Sequence, residues 1–161
     1  MVFLALTGSH VYQSLNRLGN WHMNMKELLE SIGYHQAALA LFQERNDAQG
    51  LAETWDLLGV TQFMNGHVQE RAYACEQAIT LFRQHSNQQG LISCLAMRGM
   101  SGASYLLFPA LSSSASGDEA ISAGEEALMI AHKIGWQIGE ANALVYLGLS
   151  LGPRGELRRL R

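Results

Sequence analysis

Leu41-Phe42-Gln43-Glu44-Arg45-Asn46-Asp47-Ala48-Gln49-Gly50-Leu51 returns forty residues later as Leu81-Phe82-Arg83-Gln84-His85-Ser86-Asn87-Gln88-Gln89-Gly90-Leu91, with Leu, Phe, Gln, Gly and Leu kept in place. Self-similarity at a fixed period of about 20–50 residues marks a stacked architecture, because each copy buries its apolar face only against its neighbours. The same offset relates Gly19 to Gly59 and Gly99, Leu18 to Leu58, and Ala38 to Ala78. A fourth copy is carried by Glu126-Ala127-Leu128, Gly139 and Gly148, which keep the twelve-residue step from Ala to Gly and the nine-residue step from Gly to Gly. The interval from Gly99 to Ala127 is twenty-eight residues where earlier copies have nineteen, and the stretch 106–117, with Pro109 and a serine cluster, has the composition of an inserted loop.

Within each copy apolar residues recur at three- and four-residue steps, as in Leu51, Trp55, Leu58 and in Ala72, Cys75, Ile79, Phe82. That period is helical, so each copy is a helix pair. Asn46 and Ser86, each three residues before a Gln, are expected to cap helix starts, with Ser116 repeating the pattern; Asn65-Gly66 is expected to form a left-handed stop. Gly19, Gly59, Gly99 and Gly148, with Ala38, Ala78 and Ala127, fit places where two backbones pack closely. The expectation is an all-α protein, an α-α superhelix built as a right-handed solenoid. One domain, 1–161, would hold repeats at roughly 9–46, 47–86, 87–135 with the inserted loop, and a truncated fourth at 136–161.

The 161 residues are 48% hydrophobic and only 16% charged, with a net charge of −3. Charged residues usually make up about 25% of a soluble domain, and the ordinary apolar content excludes disorder. No basic footprint is present for nucleic acid or an anionic membrane. Cys75 and Cys94 have no companions at disulfide-framework or zinc-ligand spacing, which fits a reducing, cytoplasmic location. The apolar start Met1–Leu6 is too short for a signal core, and no stretch approaches the ~18 apolar residues of a membrane span.

Trp55-Asp56-Leu57-Leu58-Gly59, then Gly66, then Glu76-Gln77-Ala78-Ile79 resembles the tetratricopeptide repeat, which runs from Trp through Leu-Gly and a turn Gly to a late Ala. The forty-residue spacing is similar to the longer variety of that repeat, common in the helical regions of large bacterial regulators. Departures are Ser31 and Arg71, where a small Ala is usual and Ala120 keeps it, and Arg98 where the other copies have Leu18, Leu58 and Leu147. A fourth unit that stops soon after Gly155, without a polar cap, points to a fragment of a longer protein or to ends covered by another copy.

Chemistry-bearing motifs are absent: there is no GxxxxGK[ST], HExxH, GxSxG or Cys-x-x-Cys. No enzymatic activity, cofactor or metal is expected. His10, His22, His35, His67, His85 and His132 are scattered singly and read as surface or capping residues, and the two cysteines as small buried apolar ones. Trp55 reads as core, while Trp21 and Trp136 read as seals at helix junctions.

The resemblance implies that the first helix of each unit lines a concave groove. Carried over one repeat at a time, unit one contributes Gln13, Asn16, Asn20 and Asn24, unit two Glu53, Asp56, Val60, Phe63 and Met64, and unit three Ser93, Ala96, Met100 and Ser104. Phe63 and Met64 could equally fill the core between repeats. No Lys or Arg stands among these positions, so clamping a terminal carboxylate is not expected; a peptide with basic and apolar side chains suits the surface better. The leading expectation is a non-catalytic module that binds a protein segment within a larger cytoplasmic regulator. Small-molecule effector sensing and self-association through uncapped ends are the alternatives.

Overall fold

Helices begin at Leu28, Ala48, Val68 and Gln88, so the forty-residue period of the sequence is two twenty-residue periods of backbone. A computed structural model describes residues 2–99 and 117–151, and these are helical throughout apart from the linkers. The elements are α1 (Val2–Asn24), α2 (Leu28–Glu44), α3 (Ala48–Met64), α4 (Val68–Gln84), α5 (Gln88–Gly99), α6 (Gly117–Ile134) and α7 (Gln137–Leu151). Among the described residues there is no strand, and successive helices pack against one another as an all-α repeat requires. No helix among them is long and apolar enough to cross a membrane.

The linkers explain the regularity. Lys26, Asn46, Gly66, Ser86 and Gly135 all have a left-handed backbone, with φ between 53° and 76°. Each left-handed N–H bonds the carbonyl three residues back and the next N–H bonds the carbonyl five back, as in Asn46 N to Gln43 O (3.1 Å) and Asp47 N to Phe42 O (3.0 Å). This paired closure satisfies carbonyls that a helix end leaves without partners. Asn65-Gly66 therefore stops α3 as its composition predicts.

The cap assignment shifts by one residue. Asn46 and Ser86 end the preceding helices, and the caps are Asp47 and Asn87, whose side-chain oxygens accept from Gly50 N (2.9 Å) and Gly90 N (3.0 Å). Asn tolerates the left-handed region better than most residues with a Cβ, so Asn-Asp reads as stop then start. The Phe and Gly of the repeat signature meet here. A Cβ on Gly50 would fall within the Phe42 ring and one on Gly90 within the Phe82 ring, so each linker is sealed by an aromatic ring lying on the next helix's first turn. Phe42 is further covered by the tilted Tyr12 ring at 5.4 Å, and Arg45 stacks on Tyr12.

Two compact units divide the chain within α4, Met1–Leu81 and Phe82–Arg161. In the first, Ile32, Leu39 and Leu58 form a buried cluster flanked by Leu51 and Trp55. In the second, Ile121, Leu147 and Leu151 form another, flanked by Leu128. Ala38, Ala78 and Ala127 are wholly buried. Gly99 makes the close backbone approach expected of it, since a Cβ there would stand 3.3 Å from Gly124 Cα. Gly59 does not: its Cβ would meet Cys75 and Ala74 at ordinary contact distance. The hydroxyl of Ser150 on α7 donates to the carbonyl of Gly99, tying α7 to α5. Residues 106–116 of the expected loop, Ser116 and the segment after Leu151 lie outside the described residues.

Candidate functional site

Three helices of the first unit meet through polar side chains. Thr54 Oγ1 donates to Gly50 O (2.7 Å), leaving its lone pair to accept from Asn16 Nδ2 at 2.8 Å. Asn16 Oδ1 then faces His35 Nδ1 at 3.2 Å, so the proton of the neutral imidazole sits on Nδ1. The chain of donors thus runs from α2 through α1 to α3. The Thr54 end fixes the orientation of the Asn16 amide, because a flipped amide would set its oxygen against the Thr54 oxygen, whose proton is already given to Gly50 O. Ser31 and Thr61 form a second contact between α2 and α3 at 3.3 Å, and Thr61 also donates to Leu57 O.

His35 is fully buried, with its ring against the backbone of Gly19 and its Nε2 without a hydrogen-bond partner among the described residues. Burial lowers its pKa from 6.5 to about 4, since a charged ring would be desolvated there. The reading of His35 as a surface or capping residue is overturned. A single His among apolar residues carries no sequence signal for its depth; the Gly19 opposite it is the only hint. His22 does behave as a junction residue, contacting Glu27 Oε2 at 2.6 Å and stacking on Tyr34. Trp21 is 55% exposed and meets the His22 ring edge-on at 4.9 Å, while the Trp136 ring lies against Gly139 at the start of α7. Cys75 and Cys94 are buried, as expected, and neither is in a disulfide among the described residues.

Beside the polar network lies a cavity of about 490 Å³ between α1 and α3. Gln13 and Asn16 line it from α1, and Gln49, Glu53 and Leu57 line it from α3, with Phe42, Asp47 and Gly50 at one end. Gln49 Nε2 donates to Glu53 Oε1 at 3.0 Å, which steadies that carboxylate at the rim. Arg17, which is not among the positions carried over from the resemblance, also lines the cavity and has no ion-pair partner among the described residues. Arg17 stands one turn from Gln13, a spacing that puts it on the same helix face.

The other candidates are not gathered there. Asn20 is half-buried with Oδ1 lacking a hydrogen-bond partner among the described residues, and Asn24 is exposed. Asp56 and Val60 are half-buried on α3. Phe63 lies under the guanidinium of Arg71, 5.3 Å from its centroid, and Met64 is 48% exposed rather than core. Arg71 is itself buried at the position where Ser31 and Ala120 are buried in the other copies, and desolvation lowers its pKa. In the second unit Ser93 is half-buried and Ala96 buried on α5, while Met100 and Ser104 lie outside the described residues. Among the described residues no group of His, Cys, Asp and Glu is placed to hold a metal ion. No protein-family model matches the chain, and no curated protein matches it either.

Proposed function

We propose that the chain is a non-catalytic tetratricopeptide-like module that binds a peptide segment in the α1–α3 groove, as part of a larger cytoplasmic regulator. The observation that carries this reading is the orientation of Asn16, held by His35 and Thr54 while it lines an open cavity beside Glu53. A polar group held in place ahead of binding loses little entropy when it engages a ligand. Glu53 and Asp47 suit basic side chains, Leu57 and Phe42 suit apolar ones, and Arg17 suits a main-chain carbonyl or an acidic neighbour.

The test is fluorescence anisotropy with a panel of labelled peptides that vary basic and apolar content. Glu53→Lys is expected to weaken the best binder at least about tenfold, through lost attraction and added repulsion, while Met129→Ala on the exposed face of α6 leaves it unchanged. Binding that ignores both Glu53→Lys and Asn16→Ala would refute the groove.

A second reading, self-association, is favoured by α7. Ala52 and Ile92, on α3 and α5, are buried where the equivalent Ala141 is exposed, and Leu95 is buried where Leu144 is 36% exposed. Ile138 and Val145 extend the open face. Sedimentation equilibrium decides: concentration-dependent mass abolished by Ile138→Lys with Val145→Lys supports this reading, and a monomer at all concentrations removes it.

A further inference from the structure

On the side of α3 turned toward α2 and α4 lies a second cavity, of about 420 Å³. Trp55, Leu58 and Gln62 line it from α3; at about 100° per residue they fall on the side away from Gln49, Glu53 and Leu57 of the first groove. The Trp55 and Tyr73 rings form one wall, edge to face at 5.5 Å and 82°. Repeat packing does not demand this aromatic pair. The equivalent positions hold Leu15 and Gly33 in the first copy, and Leu95 and Ser122 in the third.

Three further features define what the cavity suits. Glu70, one turn before Tyr73 on α4, is its sole charged lining residue and has no ion-pair partner among the described residues. Gln62 is 6% exposed, and its Oε1 accepts from His67 Nδ1 at 2.9 Å, which leaves the amide N–H groups to donate into the cavity. Gln36, like Gln62, offers a neutral amide. An aromatic wall with a carboxylate at its edge attracts a cation, and a planar, weakly hydrated guanidinium stacks on such rings better than an ammonium does.

We propose that this cavity takes an arginine side chain presented by a polypeptide. The guanidinium lies on the Trp55–Tyr73 wall with its charge met by Glu70, and a main-chain carbonyl of the segment accepts from Gln62 Nε2. Neutral amides in the lining match a peptide main chain, whereas the α-carboxylate of free arginine would find no cation here. The site is distinct from the α1–α3 groove and does not depend on it.

The experiment is a 15N NMR titration of the full chain, following the Trp55 indole N–H, with acetyl-Gly-Arg-Gly-amide, its citrulline counterpart and free L-arginine. The arginine peptide is expected to give a saturable Trp55 shift; citrulline, neutral but of the same shape, binds about tenfold more weakly, as loss of a cation–π contact together with Glu70 implies. Glu70→Gln is expected to weaken the arginine peptide by a similar factor, while Glu53→Lys leaves it unchanged, separating this site from the first groove. Trp55→Leu, which copies the residue at position 95, is expected to abolish binding while circular dichroism stays helical. The proposal is overturned by any of three results: no saturable shift up to about 20 mM, far weaker than even millimolar recognition; equal binding of the citrulline peptide; or free arginine binding as tightly as the peptide.

Discussion

Acidifying the protein from pH 8 to pH 5 is expected to destabilise it through His35. The buried ring titrates near 4, against 6.5 for an ordinary imidazole, because burial desolvates the charged form, and a proton on Nε2 would find no acceptor among the described residues. Between those two values the unfolded chain binds the proton and the folded chain does not, so stability falls as pH drops below 6.5 and levels off near 4. The full difference amounts to about 3 kcal/mol, of which about 2 kcal/mol is already lost at pH 5. Urea denaturation at pH 8, 7, 6 and 5, on the natural chain and on His35→Gln, reads this directly. The other five histidines are common to both proteins, so their contribution cancels in the difference. The gap between the two stability curves should therefore change by about 2 kcal/mol over this range. Parallel curves would refute the assignment of His35 as a buried neutral ring donating from Nδ1.

Three further outcomes are expected. Asp47→Ala and Asn87→Ala should each lower stability by about 1 kcal/mol in urea melts, whereas Asn46→Ala should not act through a lost cap. Gly50→Ala and Gly90→Ala should each cost about 1–3 kcal/mol, because the added Cβ displaces the Phe42 or Phe82 ring, and thermal melts should show the loss. Gly33→Ala, mid-helix with nothing near its Cβ position, should stabilise by about 0.5–1 kcal/mol, and Ser86→Gly should stabilise too, by relieving its left-handed backbone.

Much of the helix layout was legible from the residues. The recurrence of Phe42, Gly50 and Leu51 as Phe82, Gly90 and Leu91 has a local cause, a ring seated on the next helix's first turn, and local causes leave traces at fixed spacing. Asn46 and Ser86 stand one place before the caps because a polar pair such as Asn-Asp holds two roles in adjacent positions, a left-handed stop and a cap. The site was less legible. Gln13, Asn16 and Glu53, all expected in the groove, are brought to one cavity, but Arg17, Asp47 and Gln49 join them from positions outside the pattern carried over from the resemblance. The depth of His35 depends on Gly19, sixteen residues away and on another helix.

Period, helical phase and the smallness of Ala38, Ala78 and Ala127 were determined by sequence alone, because hydrogen bonding and side-chain spacing within a helix act over three or four residues. The direction of the His35, Asn16 and Thr54 hydrogen bonds, the pairing of Trp55 with Tyr73, and the open face of α7 were decided only by tertiary structure. Each depends on which side chain arrives from another helix, and contacts of that kind have no characteristic spacing along the chain.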